Sequence, residues 1–254
     1  MHATIVTAYF RLNKSKASPE KYNVWMTNML ANPNPMVIFC DDASREFIAA
    51  NRATFPDATV IIVTSFKEFY TYQYAMAFVK HFEKDREQHV GHSALLYMIW
   101  SEKSHFLKRA IELDPFRTDY FLWVDIGCFR TTPQTQVWPA PQRVAALDPN
   151  KVLLLSVQPF TPIELACEER VDLPLFQFAN RIGGTMFGGG KEVLLRWHTL
   201  YYDMLKYFIY IDRFIGKDQS IMNSVYLLNR DLCDLISWKP GCPDPWFYIQ
   251  DYLR

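Results

Sequence analysis

An α/β fold with a mostly parallel, Rossmann-like central sheet flanked by helices is predicted by three features of the sequence. Short apolar, β-branched runs alternate with helical patterns early in the chain. A strongly apolar run at residues 120–130, YFLWVDIGCFR, carries one acid near its end. Five of the nine glycines crowd into residues 181–190, RIGGTMFGGG.

The first strand is expected at residues 4–9, TIVTAY. Ser18 as N-cap and Pro19 at the first helical position open a helix to Leu30. A strand follows at residues 36–40, MVIFC, leading into Asp41 and Asp42. A short helix over residues 44–55 and a strand over 59–63 complete a strand–helix–strand–helix–strand rhythm, the signature of right-handed parallel crossovers. Residues 66–88 suggest an irregular helical segment, with the FYTYQY cluster either packing or forming a platform. A long helix over 93–113 places Leu96, Ile99, Phe106 and Ala110 on one stripe, and Asp114-Pro115 ends it. Lys103 falls on the same stripe. A lysine turned inward needs a carboxylate, a phosphate or a path to water.

The run at 120–130 is the most informative. An acid at the carboxyl end of a buried parallel strand sits where open α/β sheets bind ligands. Asp125 there needs a partner: a metal, an Arg or Lys, or backbone amides. Beyond it, residues 133–149 form a Pro-rich loop and 151–158 a strand, while 161–178 is irregular and could cover a cleft. Glycines on both sides of a short apolar strand at 181–190 suggest backbone pressed against a ligand. This is neither a P-loop nor a GxGxxG turn. A helix over 191–208 follows, and then Gly216-Lys217-Asp218-Gln219 precedes the helical run SIMNSVYLLN. Asp218 is either a cap or first-turn acid, or a functional group.

Composition narrows the classes. The 254 residues allow one large α/β domain over 1–254, and no repeat or linker divides them. Lys+Arg and Asp+Glu both number 27, which argues against general nucleic-acid binding. Half the residues are apolar, which excludes disorder. The 5 cysteines show no CxxC spacing, so a spaced-cysteine zinc site is not expected. Neither a signal peptide nor an apolar run of about 18 residues is visible, so a soluble, cytoplasmic protein is expected.

TIVTAYF, SKASPEKYNVWMTNML with PMVIF after it, WVDIGCFR, GGTMFGG and GKDQSIMN occur in this order across nearly the whole chain. Together they resemble the HtrL/YibB family, whose members are inferred glycosyltransferases. More broadly the order resembles the GT-A fold. The resemblance implies a nucleotide-binding part at 1–130 and a part for donor sugar and acceptor at 131–254. It implies a sugar-nucleotide donor such as a UDP- or GDP-sugar, a glycan or other hydroxyl acceptor, and Mn²⁺ or Mg²⁺ held at Asp125. The Asp-x-Asp motif of that fold here is Asp125-Ile126-Gly127, so the second acid is missing, and no histidine follows His198. Thr7, Ala8 and Tyr9 would lie against the nucleoside, with Asp41 or Asp42 near a ribose hydroxyl or base edge. Lys103 or Arg130 would serve as an auxiliary cation on the diphosphate. Gly183 and Gly184 would line the donor sugar. Asp218 would be the late acid, either a general base or a sugar-positioning group. Two alternatives stand beside this reading: a non-catalytic, degenerate GT-A domain that binds a glycan or protein, and a nucleotidyltransferase. The latter usually has an early glycine-rich loop, and residues 10–18 contain no glycine.

Overall fold

The computed structural model describes residues 2–13, 17–176 and 179–254. The last two residues of the expected cover at 161–178, and residues 14–16 after the first strand, lie outside the described residues. The first half of the chain forms β1 (Ala3–Tyr9), α1 (Pro19–Leu30), β2 (Met36–Cys40), α2 (Asp42–Arg52), β3 (Thr59–Val63), α3 (Ala75–Phe82), α4 (Ala94–Leu113) and β4 (Tyr120–Val124). The second half forms α5 (Pro141–Ala145), β5 (Val152–Ser156), α6 (Pro162–Leu165), β6 (Ile182–Gly190), α7 (Lys191–Tyr210), α8 (Asp218–Leu228), β7 (Cys233–Ser237) and α9 (Tyr248–Tyr252).

One seven-stranded sheet runs through both halves in the order β3-β2-β1-β4-β6-β5-β7. The strands β3, β2, β1 and β4 are mutually parallel, as the early rhythm predicts. β6 runs antiparallel to both β4 and β5, and β7 is parallel to β5. Side chains of a strand alternate between faces, so the sheet has two cores. Val6, Phe39, Phe121 and Trp123 pack under α4, α7 and α8, whereas Ile5, Ile38, Leu122 and Val124 pack under α1, α2 and α9.

Several boundaries follow from local chemistry. Ser18 Oγ accepts from Lys21 N at 3.3 Å, with Pro19 opening α1. Ser93 caps α4 in the same way, accepting from Leu96 N at 3.1 Å. α2 starts and ends earlier than the expected 44–55, because Pro56 begins a separate 3-10 turn. Arg52, almost wholly buried, closes that corner by donating to the carbonyls of Leu30, Asn34 and Ala58 and to Thr59 Oγ1. The segment 66–88 is irregular, as expected, because buried Glu102 on α4 accepts from Tyr70 N and Thr71 N and draws it into 3-10 turns.

One expectation is corrected, and one strand is additional to those expected. The glycines of 181–190 do not flank a short strand; they lie inside β6. Gly188 shows why: a Cβ there would stand 2.5 Å from Phe121 O of the paired strand. The edge strand β7 was not visible in the sequence, since CDLIS is short and interrupted by Asp234.

Helices α4 and α7 pack across a half-buried histidine pair, with His105 Nδ1 3.2 Å from His198 Nε2. Burial, with help from nearby cations, holds His105 and His198 down at about 4, and His81 likewise. A histidine depressed in the folded state contributes stability above its unfolded value near 6.5 and loses it as pH falls toward 4. Glu102 works in the opposite sense, because burial raises it to about 7. Three histidines against one carboxylate predict net acid destabilisation between pH 6.5 and 4, on the order of 1–3 kcal/mol per histidine. Thermal melts across this window check it: the midpoint falls with acid, and His105→Gln with His198→Gln flattens the slope.

Candidate active site

Neighbouring strands leave β1 in opposite chain order, β2 on one side and β4 on the other. Open α/β sheets bind ligands outside the carboxyl ends of the strands at such a switch point. Tyr9 ends β1 there, and Asp125 follows β4.

Asp125 is fixed from several directions. Its backbone N donates to Thr185 O at 2.8 Å, and its carbonyl accepts from Cys128 N at 3.0 Å, which closes the turn. Trp123 Nε1 donates to Asp125 Oδ1 at 2.8 Å. Lys103 Nζ stands 3.1 Å from the same oxygen. On its other side Lys103 faces Asp218 Oδ2 at 3.0 Å, and it donates to Gly184 O at 2.8 Å. One ammonium thus holds two carboxylates and one carbonyl together. Burial opposes the charge on Lys103, but Asp125 and Asp218 outweigh it and raise its pKa. Burial likewise raises the Asp125 carboxyl, and Lys103 pulls against it.

The two carboxylates differ in access. The side chain of Asp125 is 31% exposed and that of Asp218 only 2%. Asp218 is the first residue of α8, where the helix dipole favours an anion. Gly184 closes over it: a Cβ on Gly184 would lie 2.5 Å from Asp218 Oδ2. Lys217, the α8 cap residue, pairs with Glu87, which ties the 85–92 turn to the same corner. Asp85, Glu87 and His92 there group like metal ligands. Asp85 is already engaged there: its Oδ2 meets His92 Nδ1 at 2.7 Å and Tyr97 Oη, and its Oδ1 accepts from Glu87 N.

The wall facing Asp125 is aromatic and cationic. Tyr9, Tyr22 and Trp25 follow one another at ring separations of 5.5 and 5.6 Å. Burial is the main cause of the raised Tyr9 and Tyr22 hydroxyls, and Asp125 adds to it at Tyr22. Arg130 is exposed, with its guanidinium 4.6 Å from both the Trp25 and Phe247 ring centroids. It forms no ion pair among the described residues. Its loop is pinned by Asn28 Nδ2 on Phe129 O and Gln250 Nε2 on Cys128 O, both at 2.9 Å. Asp41 lies beside Tyr9, where Oδ2 accepts from Arg11 N at 2.6 Å. Its Oδ1 is buried with no partner among the described residues.

Asp125, Lys103, Asp218 and Gly184 therefore form one cluster, while Tyr9 and Asp41 lie together at the end of β1 and Arg130 stands on the loop after Asp125. Thr7 and Ala8 are buried within the sheet, so their side chains face the cores. Gly183 faces away from Asp218, with Val157 and Trp246 over it. Lys103 spends its contacts on the two acids and Gly184 O instead of standing open to a diphosphate. Sequence reasoning missed Tyr22, Trp25, Trp123 and Phe247. The i, i+3 spacing of Tyr22 and Trp25 on α1 was the available signal.

A family model described as "Bacterial protein of unknown function (HtrL_YibB)" matches residues 1–247. No curated protein matches the sequence. Among solved structures, the apo crystal structure of mouse xyloside xylosyltransferase 1 superposes with a TM-score of 0.52 at 11% identity, over 100% of this chain and 94% of that one. A structure described as PaToxG glycosyltransferase gives a TM-score of 0.44 at 10% identity, over 91% of this chain and 70% of that one. The shared architecture is a GT-A-like α/β domain. No helix among the described residues is long and apolar enough to cross a membrane.

Proposed function

The chain belongs to the HtrL_YibB family, and from its crevice we propose that it transfers a glycosyl group from a nucleoside-diphosphate sugar to an acceptor hydroxyl. The observation that carries this reading is Asp125. It is a carboxylate held at the carboxyl end of β4, open on one side and locked by Lys103 on the other. In the transfer, the bond between the anomeric carbon and the diphosphate oxygen breaks, and its electron pair leaves with the diphosphate. The acceptor oxygen bonds the anomeric carbon and passes its proton to the open carboxylate oxygen of Asp125.

The fixed groups suit that chemistry. Arg130 offers its fork of N–H donors to the departing diphosphate, and its two flanking rings keep it in place. Tyr9 and Tyr22 offer faces for a nucleobase, and the orphan Asp41 Oδ1 is an acceptor for a ribose hydroxyl or base N–H. Asp125 faces the reacting carbon, and Asp218 acts as a positioning residue through Lys103. The donor class favoured is a UDP- or GDP-sugar, and the acceptor a glycan or another hydroxyl compound.

A thermal-shift panel of UDP, GDP, ADP and CMP, each with Mn²⁺ and in EDTA, tests the reading. One nucleotide is expected to raise the midpoint by at least about 2 °C at saturation. Arg130→Met is expected to weaken that nucleotide by about tenfold or more, the worth of a charge-assisted hydrogen bond. No shift with any nucleotide, or unchanged affinity in Arg130→Met, would contradict it.

A further inference from the structure

The GT-A resemblance implies a divalent cation at Asp125, and the residues at the crevice do not fit one. Mg²⁺ and related hard cations need a shell of oxygen ligands, anchored by one or two carboxylates and completed by water and phosphate. The chain offers little toward such a shell. Asp125 Oδ1 already receives Trp123 Nε1 at 2.8 Å and Lys103 Nζ at 3.1 Å, which leaves one oxygen. The place of the second acid is Gly127, where a side chain would crowd Tyr22. A Cβ there would meet the Tyr22 ring at 3.2 Å and its hydroxyl at 3.3 Å. Asp218, the other nearby carboxylate, is buried behind Gly184 and turned to Lys103. An ion on Asp125 would stand beside an ammonium that repels it.

We infer that this crevice takes no divalent metal: Lys103 is its fixed cation, and nucleotide binding is metal-independent. This deepens the reading of the crevice as a sugar-nucleotide site and rests on it. Lys103 lies between two carboxylates at 3.0 and 3.1 Å and supplies the positive charge between them. Its third contact, on Gly184 O, ties that charge to the glycine strand. The diphosphate charge is then met by Arg130, exposed on the same loop as Asp125. The division of labour is definite. The buried lysine neutralises and orients the acids, and the exposed arginine meets the phosphate.

Mn²⁺ itself is the probe. Electron paramagnetic resonance of Mn²⁺ titrated with the wild-type chain alone is expected to show only the free-ion signal, and with each nucleotide of the panel only the signal that the same nucleotide gives without protein. The affinity of the nucleotide that binds is expected to agree within about twofold between Mn²⁺ and EDTA. Lys103→Ala leaves the two acids facing each other, so its lowered melting midpoint is expected to rise on adding Mn²⁺. Stoichiometric Mn²⁺ binding by the wild type that is lost in Asp125→Asn would overturn the inference, and so would nucleotide affinity at least about tenfold tighter with Mn²⁺. If no nucleotide binds, the proposed function fails, while the Mn²⁺ titration of the chain alone still decides the metal question. If Lys103→Ala does not fold, the wild-type titrations decide it by themselves.

Discussion

Lys103→Met is expected to destabilise the fold by about 3–5 kcal/mol, because it leaves the buried Asp218 and the half-buried Asp125 without their shared cation. The methionine fills most of the volume, so the cost comes from charge and not from a cavity. Asp218 suffers most, being 2% exposed with its carboxylate closed in by Gly184. The double variant Lys103→Met with Asp218→Asn removes the orphaned charge and is expected to be more stable than Lys103→Met alone. Equilibrium urea unfolding of the three proteins reads this out. A loss under about 1 kcal/mol in Lys103→Met would mean that the ion pairs are solvated in solution.

Gly184→Ala is expected to lower turnover by about a hundredfold while the chain remains folded. The added methyl would stand 2.5 Å from Asp218 Oδ2 and 3.0 Å from Asp218 Cγ, so the acid or the strand must move. Either movement carries Lys103, which is bonded to both Asp218 and Gly184 O, and Lys103 carries Asp125. Displacement of a reacting group by about 1 Å is enough for a loss of that size. Gly183→Ala is the comparison, because its methyl would meet Val157 Cγ1 at 3.0 Å and no acid. Equal losses in the two variants would show that crowding of β6, and not the position of Asp218, sets the rate.

The sequence made the parallel half of the sheet legible for a physical reason. Each of β1, β2 and β3 is a short run of apolar and β-branched residues followed or flanked by clear helix signals, and α1 has both its serine cap and its proline. Past β4 the signals weaken. The direction of β6 depends on pairing with β4 and β5, a long-range fact that glycine content does not encode. The importance of Asp125 was visible because one acid interrupts an apolar run. Its partner was half visible: Lys103 stood on an apolar helix stripe, and a carboxylate was one of three needs named for it. That Asp218 shares the same ammonium could not be read, since 115 positions separate Lys103 from Asp218 and only the packing of α4, α8 and β6 joins them. The aromatic seat of Arg130 likewise draws on Trp25 and Phe247, from opposite ends of the chain.

The most direct test of the central claim is release of nucleoside diphosphate from sugar nucleotides. Wild type and Asp125→Asn are compared with a UDP-sugar and a GDP-sugar, in Mn²⁺ and in EDTA, with and without a mixed glycan acceptor. The substituted amide keeps the shape of the side chain and can still accept the hydrogen bond from Trp123, but it removes the charge. The account predicts release by the wild type with one donor, faster with acceptor, and a loss of about a hundredfold or more in Asp125→Asn. Equal release by the two proteins, or none by the wild type with either donor, would contradict it.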